Sequence, residues 1–236
     1  MVAIEIIQQA EIRLINYTPE PDKHIYLAAR TAYSNKEWEK LQKETDKPEK
    51  VAKFLNMLYR KGHHSVFEHA NFTFLIEGCS RVCTHQLVRH RLASYTQQSQ
   101  RYAGAQKEIY LPKSFYKDRD VYNLVTQAVE TMYGLYDSLV KLGIPEEDAR
   151  YIIPQAVTSR IVVTMNAREL LHFFELRTCM HAQAEIRYVA WQMLHKVKEV
   201  APITFQYAGP PCITKGVCYE EDTTCPLYKQ YIVQTT

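Results

Sequence analysis

Glycine is scarce in this sequence, with seven among 236 residues. No G-x-G-x-x-G follows a predicted strand, and no G-x-x-x-x-G-K-[ST] occurs. Both motifs bind phosphate through the backbone amides of a glycine-rich loop. Their absence excludes the two common kinds of glycine-rich phosphate-binding loop. If the protein binds a nucleotide, its side chains must make most of the contacts.

Long apolar runs are also missing. No window reaches the roughly 18 uninterrupted apolar residues that a membrane-spanning helix needs. The first residues, MVAIEIIQQAEIRL, do not place a basic segment before an apolar one, as a secretory signal would. We therefore expect a cytoplasmic protein that does not associate with membranes.

Neither sign of charge dominates. The chain has 29 Lys and Arg against 26 Asp and Glu, a net charge of +3, and a pI of about 8.4. This mild balance argues against a protein dedicated to binding polyanions. It leaves open a local basic site for a small phosphate ligand.

The six cysteines form no C-x-x-C pair, so the sequence gives little indication of zinc. Disulfides are not expected without a secretory signal. Three cysteines lie close together in the C-terminal tail, at Cys212, Cys218 and Cys225. The sequence leaves a metal, a metal cluster or a disulfide at this place as an alternative. We predict no metal site.

The segment GHHSVFEH, residues 62–69, is rich in histidine. His64 and His69 are five positions apart, roughly 140° around a helix at 3.6 residues per turn. Metal-binding helices place two histidines on one face, four positions apart. The histidines here are therefore interpreted as structural or ligand-binding, in a turn that follows Gly62.

Apolar spacing and the positions of proline and glycine predict the secondary structure. Helices are predicted at 21–33, 51–61, 80–90, 121–142 and about 182–200, with a short one at 146–153 and another beginning at Ala167. A strand or hairpin is predicted at 3–18, and strands at 72–76, closed by Gly78, and at 161–165. Residues 36–50 are interpreted as a surface helix or loop. The helix at 121–142, with Gly143 at its C′ position, is expected to turn an apolar stripe inward, namely Leu124, Val125, Ala128, Met132, Leu135, Tyr136 and Leu139. The last long helix is expected to turn Ile186, Val189, Met193 and Val197 inward.

These elements show no β-α-β rhythm, no internal repeat and no low-complexity linker. We predict a single domain over residues 1–236 in the α+β class, with mixed helices around a small, mostly antiparallel β-sheet.

The segment RHRLASYTQQSQRY, residues 89–102, is polar and cationic. Arginine grips phosphate or carboxylate oxygens two at a time, and hydroxyls and backbone amides can complete such a site. We predict that a loop here binds an anionic ligand. A single-stranded nucleic acid is a competing ligand, since Tyr95 and Tyr102 lie among the cations.

A second polar group lies at Asn166-Ala167-Arg168, His172 and Arg177. Asn166 followed by Glu169 has the form of a capping box. One face of the resulting helix could present an amide and a guanidinium to a cavity. The alternative is a helix cap followed by surface arginines, and the sequence leaves both open.

Together these segments resemble the flavin-dependent thymidylate synthases, whose motif is R-H-R-x-x-S-x-N-x-x-S-x-R. The chain reads RHRLASYTQQSQR at residues 89–101 and departs at Thr96, where the family usually has Asn. Thr96 keeps a hydroxyl but lacks the amide. The resemblance extends over GHHSVFEHANFTF, EDARYIIP and NARELLHFFELRTCMHAQAEIR, about residues 22–205, and leaves out a cysteine-containing tail at about 209–236.

The resemblance implies the reductive methylation of dUMP to dTMP. Methylenetetrahydrofolate would supply the carbon, NADPH would reduce a bound FAD, and no cysteine would attack the substrate. It also implies a homotetramer whose active sites lie between subunits. A non-catalytic module that binds single-stranded nucleic acid or a nucleotide remains the alternative.

The resemblance further implies residue roles. Arg177 would act in catalysis, facing the uracil ring. The dUMP site would contain Gln86, Leu87, Val88, Arg89, Gln97, Gln98, Ser99, Gln100, Arg101, Arg150 and Arg177. The FAD site would contain His63, Ser65, Arg89, His90, Arg91, Gln97, Asn166, Ala167, Arg168 and His172.

Overall fold

The computed structural model describes residues 4–231. Its strands are β1 (Glu5–Ile7), β2 (Glu11–Tyr17), β3 (Asn71–Ser80), β4 (Ala93–Gln97), β5 (Glu108–Tyr110) and β6 (Thr158–Asn166). Its helices are α1 (Pro21–Tyr33), α2 (Trp38–Glu44), α3 (Pro48–Arg60), α4 (Arg81–Leu87), α5 (Arg119–Lys141), α6 (Glu146–Ala149), α7 (Ala167–Arg177), α8 (Ala184–Val200), α9 (Pro211–Thr214) and α10 (Pro226–Tyr231). The predicted α+β class is confirmed.

The strands form two sheets. One has four strands in the order β2-β3-β6-β4, and the other pairs β1 with β5 in parallel, with Ile6 opposite Ile109. The hairpin alternative for the first strands is therefore wrong, because β1 and β2 belong to different sheets. When β1 pairs with β5, Ile4 and Ile6 pack against the apolar cluster around Ile109 and Val129. A hairpin between β1 and β2 would not require this contact.

The described residues divide into two compact units. Unit 1 comprises residues 4–12, 75–89 and 95–162, and unit 2 comprises residues 13–74, 90–94 and 163–231. Assignment of the whole chain to one domain stays a prediction.

The core of unit 1 forms around Ile109, Leu111, Val129 and Tyr133. Helix α5 was expected to bury Leu124, Met132 and Leu135, but these are 69%, 40% and 50% exposed. The predicted buried face is therefore wrong at these three positions. Tyr136, which belongs to the predicted stripe, is buried, together with Val129 and Tyr133.

Hydrogen bonding explains which face of α5 turns inward. The Tyr133 hydroxyl donates to the Gln106 carbonyl, and the Tyr136 hydroxyl accepts from the Ala105 amide at 3.4 Å. Both tyrosine rings are buried while their hydroxyl groups are hydrogen-bonded. This favours burial of the tyrosine face over burial of the face that carries Leu124, Met132 and Leu135.

Strand β3 continues beyond its predicted end. Gly78 was expected to close it, but the strand runs through this residue to Ser80. Gly78 has φ +74°, and a Cβ there would lie 3.4 Å from Cγ2 of Ile7. The glycine therefore permits a local distortion within the strand and does not terminate it. Ser80 then caps α4 by accepting from the Cys83 amide at 3.1 Å.

Unit 2 packs α1, α3, α7 and α8 around aromatic side chains. Phe205 meets Phe72 and Phe174 edge to face, with ring centroids 5.4 and 5.9 Å apart. The inward positions predicted for the last long helix are confirmed, since Ile186, Val189, Met193 and Val197 are all buried.

A buried carboxylate links distant parts of unit 2. Asp22, at the start of α1, accepts from the backbone amides of Ile203 at 3.0 Å and Thr204 at 2.8 Å, and from the Thr204 hydroxyl at 2.5 Å. The start of α1, which the sequence predicted at Pro21, is thus fixed to the residues that follow α8.

The segment 36–50 is only partly a surface element. It contains α2, in which Leu41 and Glu44 are buried. Glu44 binds the ammonium groups of Lys36 and Lys50 and accepts from the Tyr26 hydroxyl at 2.7 Å. The pKa of Glu44 is lowered by these partners, first by Lys36, so the carboxylate stays charged inside the fold.

Within the described residues, no helix combines the length and the apolar character that crossing a membrane requires.

Candidate functional site

The cationic segment at residues 89–102 is not simply a loop, because it contains strand β4. The Tyr95 hydroxyl donates to the Leu87 carbonyl at 2.9 Å, and the Gln97 amide donates to the Thr84 hydroxyl at 3.1 Å. Alternate side chains of a strand point the same way, so residues 95 and 97 both reach α4. The strand itself pairs with β6 in the four-stranded sheet, and these side-chain bonds attach it to α4.

Unit 1 contains a cavity of about 460 Å³ beside α4. Two residues predicted to bind dUMP, Gln100 and Arg150, lie in its wall. Arg81, His85 and Tyr151 line it as well, and the sequence reasoning missed them. Arg81 and His85 are four positions apart and thus share one face of α4. That spacing was the signal that could have identified them.

Arg81 has an unsatisfied donor in this cavity. Its Nε is buried and finds no hydrogen-bond partner among the described residues, while one terminal nitrogen lies 3.5 Å from the Gln98 carbonyl. The pKa of Arg81 is lowered, first by burial and then by the charge of Arg150. Two guanidinium groups that repel each other and retain hydrogen-bonding capacity favour an anionic ligand between them.

The other residues predicted for the nucleotide have different surroundings. Arg101 forms an ion pair with Glu147 at 2.6 Å, and its backbone amide donates to the Ser99 hydroxyl at 3.2 Å. Leu87 is fully buried, whereas Val88 and Arg89 are exposed. Gln86 and Gln98 lie at the surface of unit 1, half-buried. The roles assigned to all these residues stay predictions.

Unit 2 contains a larger cavity, of about 690 Å³, beside α7. Asn166 caps this helix by accepting from the Glu169 amide at 2.9 Å, so this half of the predicted capping box is confirmed. The first helical turns then carry Arg168 and His172 into the cavity wall. Two of the residues predicted to bind flavin are therefore brought together, directly after the cap.

Further side chains complete this wall. Tyr59 and His64 stack with ring centroids 5.3 Å apart, and both line the cavity together with Arg60 and Lys215. The neighbouring His63, which the resemblance selected, contacts Tyr33 at 3.5 Å instead, and Ser65 is exposed. Arg168 pairs with Glu68, a residue to which the sequence assigned no role.

The middle residue of the Arg-His-Arg motif differs from its neighbours. Arg89 and Arg91 are exposed, but His90 is buried, with 5% of its surface exposed. Its Nε2 accepts from Nε of Arg177 at 3.1 Å. The residue predicted to act in catalysis is thus anchored to a residue predicted only to contact the flavin.

The cysteines show no preformed metal site. Within residues 4–231, no group of three or more His, Cys, Asp or Glu side chains is arranged to hold a metal ion. None of the six cysteines, which all lie within this range, forms a disulfide. The pKa of the Cys212 thiol is raised, first by burial and then by Cys179, with smaller contributions from Cys218 and Cys225, so the tail cysteines lie near one another and near the end of α7.

Comparison with known proteins identifies the family. The model of the thymidylate synthase complementing protein family, Thy1, matches residues 13–203. The chain belongs to this family. It is similar to a flavin-dependent thymidylate synthase of Pyrococcus abyssi, 48% identical over 91% of each chain, and to one of Geobacter sulfurreducens, 45% identical over 91% of this chain and 93% of the other. The family that the motif predicted is therefore confirmed.

Solved structures agree with this assignment. The UMP/dUMP methylase PolB from Streptomyces cacaoi, bound with 5-Br dUMP, superposes with a TM-score of 0.77 and 26% identity over 86% of this chain and 96% of that chain. The same enzyme bound with 5-Br UMP gives a TM-score of 0.74 and 28% identity, over 86% of this chain and 95% of that chain. The similar proteins are thus named as synthases and a methylase, and the alternative of a non-catalytic nucleic-acid-binding module is not favoured.

Proposed function

We propose that the protein catalyses the reductive methylation of dUMP to dTMP. FAD is the bound cofactor, methylenetetrahydrofolate donates the carbon, and NADPH is the reductant. The relatives are called flavin-dependent thymidylate synthases, and the UMP/dUMP methylase binds a dUMP analogue. In the structure, the observation that carries the proposal is the unit 1 cavity where Arg81 and Arg150 converge.

That cavity suits the phosphate of a nucleoside monophosphate. The phosphate is dianionic and accepts several hydrogen bonds, which guanidinium groups donate in pairs. Arg81 and Arg150 supply the charge, and the Gln100 amide supplies a neutral donor. The Nε of Arg81, buried without a partner among the described residues, gains an acceptor when the phosphate binds. The remaining residues predicted for dUMP are proposed to contact it at other positions.

The unit 2 cavity fits a flavin dinucleotide by the chemistry of its donors. The pyrophosphate of such a cofactor is anionic, and the cations Arg60, Arg168 and Lys215 line the wall, where Arg168 pairs with Glu68 and Lys215 pairs with Glu175 at 2.7 Å. Tyr59 and His64 add aromatic faces suited to a ring system. When bound, FAD supplies the hydride chemistry, and the protein supplies binding and orientation.

Arg177 is proposed to act on the pyrimidine itself. A fixed guanidinium near N3 and the adjacent carbonyl oxygen stabilises the enolate-like form of uracil, and C5 then becomes nucleophilic. The chain therefore activates the carbon that is methylated without a cysteine nucleophile.

The assembly is proposed to be a homotetramer with active sites between subunits. An aliphatic surface on α5 supports an assembly, since Leu124, Met132 and Leu135 lie on one face of the helix and are exposed. Exposed apolar faces of this kind are typical of subunit interfaces.

The test is an assay for dTMP with purified protein. The protein is reconstituted with FAD and incubated with dUMP, methylenetetrahydrofolate and NADPH, and the product is separated by chromatography. We expect flavin absorbance that bleaches on adding NADPH, and dTMP formation that depends on every component. Protein that does not retain FAD and forms no dTMP would overturn the proposal.

A further inference from the structure

His90 occupies an enclosed position in unit 2. Its ring packs edge to face on Phe173, with centroids 4.9 Å apart, and lies 5.8 Å from the ring of His172. It is the buried residue between two exposed arginines. An imidazole in such a place must have its ring nitrogens satisfied by the protein.

The partners of His90 fix which nitrogen carries the proton. A guanidinium has only donors, so the Nε–H of Arg177 donates and Nε2 of His90 accepts, at 3.1 Å. In a neutral imidazole the proton then lies on Nδ1. Nδ1 lies 3.3 Å from a carboxylate oxygen of Glu169, which is also buried.

The spacing along α7 explains how one ring reaches both partners. Glu169, Phe173 and Arg177 are four residues apart, so they share one face of the helix. Glu169 and Arg177 are separated by about 12 Å along the axis at 1.5 Å per residue. Helical side chains lean toward the N-terminus, which lets the long Arg177 side chain reach back to His90.

The electrostatics favour an uncharged ring. The pKa of His90 is lowered to about 4, first by burial and then by the charges of Arg177 and His172. The pKa of Glu169 is raised by burial, with His172 acting in the opposite direction. At neutral pH His90 is therefore uncharged, and the contacts run from the Glu169 carboxyl group through the imidazole ring to the Arg177 guanidinium.

We propose that Glu169 and His90 are positioning residues for Arg177, an inference that rests on the proposed function. His90 uses Nε of Arg177 and leaves both terminal amino groups of the guanidinium for the pyrimidine. Glu169 holds the imidazole in the tautomer whose Nε2 accepts. Catalysis by a preorganised donor depends on such support, because a loosely held guanidinium must be ordered again in each turnover.

The direct test is the tautomer of His90. In protein labelled with ¹⁵N-histidine, the chemical shifts of the two ring nitrogens distinguish Nδ1–H from Nε2–H, and a His90→Gln variant assigns the signals. We expect the neutral Nδ1–H form at neutral pH in the wild-type protein. A predominant Nε2–H form, or a charged ring at neutral pH, would overturn the inference whatever the variants do.

The kinetic test compares Glu169→Leu with Glu169→Gln. Leucine removes the acceptor, so we expect kcat to fall on the order of 10- to 100-fold, as for residues that orient a functional group through another residue, with little change in the affinity for dUMP. Glutamine retains an acceptor oxygen for Nδ1–H, and we expect it to restore most of the activity. A Glu169→Leu variant with wild-type kcat contradicts the inference.

Phe173→Leu is the matched control. It removes the ring that packs on His90 but none of the hydrogen bonds, so we expect lower thermal stability without the selective loss of kcat. The proposed function has its own test: it is refuted if the wild-type protein does not convert dUMP to dTMP. In an active enzyme, an unaffected Glu169→Leu variant refutes only the positioning role.

Discussion

Arg81 and Arg150 line one cavity in unit 1, and the charge of Arg150 helps to lower the pKa of Arg81. Such an arrangement is unfavourable until an anion binds between the two guanidinium groups.

Replacing Arg81 with Leu should weaken dUMP binding by roughly 10- to 100-fold, since a hydrogen bond to a charged group contributes about 1.5–3 kcal/mol. Calorimetry or flavin absorbance titration with dUMP measures the effect. Arg119→Leu, an exposed arginine at the start of α5, is the control and should bind normally. Equal affinities in the two variants would remove Arg81 from the phosphate site.

Arg177→Ala should still bind dUMP, while methyl transfer falls by roughly 10²-fold or more, the usual cost of losing one preorganised donor. Single-turnover formation of dTMP at saturating dUMP separates the chemical step from binding. Near-normal turnover would show that Arg177 does not act on the pyrimidine.

The stability of the protein should fall in mild acid because of His90. Its pKa is lowered to about 4 in the folded protein, from an ordinary value of 6.5. Between these values the unfolded chain binds the proton and the folded protein does not, so the contribution is complete above pH 6.5 and is lost as the pH falls toward 4.

Thermal unfolding from pH 7 to pH 4.5 tests this dependence, with His90→Gln as the comparison. Glu169 acts in the opposite direction, because burial raises its pKa, so only the difference between the two proteins isolates His90. We expect a smaller acid-induced decrease in Tm for His90→Gln. Parallel curves would mean that His90 is not held uncharged.

Cys179→Ser should retain dTMP formation, because the proposed chemistry uses no attacking thiol. Cys179 lies just after α7, two residues beyond Arg177, so the variant tests the nearest thiol in the sequence. Complete loss of activity in a variant that folds and retains FAD would reopen a cysteine-nucleophile mechanism.

The sequence was most informative at the ends of helices, where a proline, a glycine or a capping side chain marks the boundary. The start of α1 at Pro21, the cap at Asn166 and the left-handed Gly143 after α5 were all predicted, and the structure has each of them. These signals act over one helical turn, so tertiary contacts do not override them.

The predictions from sequence were wrong where the local structure depends on contacts between residues far apart in the chain. Strand β4 pairs with β6, which lies far away in sequence, and its side chains Tyr95 and Gln97 bond to α4, none of which polarity alone could indicate. Similarly, the tyrosine face of α5 is buried because Gln106 and Ala105 satisfy its hydroxyls. The spacing of apolar residues locates a helix in the sequence. When apolar residues occupy more than one face of that helix, as in α5, the spacing does not show which face is buried.

The candidate site shows the same contrast. The motif identified the Arg-His-Arg segment, yet it could not reveal that its histidine is buried against α7 whereas both arginines are exposed. Arg81 was missed because its spacing of four residues from His85 shows only that the two share a helix face, not that this face lines a cavity. Its importance follows from burial and from Arg150, which lies far away in sequence.

The three hydrogen bonds that Asp22 accepts from Ile203 and Thr204 limit how the protein can be shortened. The family model ends at residue 203, so a truncation designed from that boundary would delete Thr204 and leave a sequestered carboxylate with too few donors. Any minimal fragment should therefore extend past position 204.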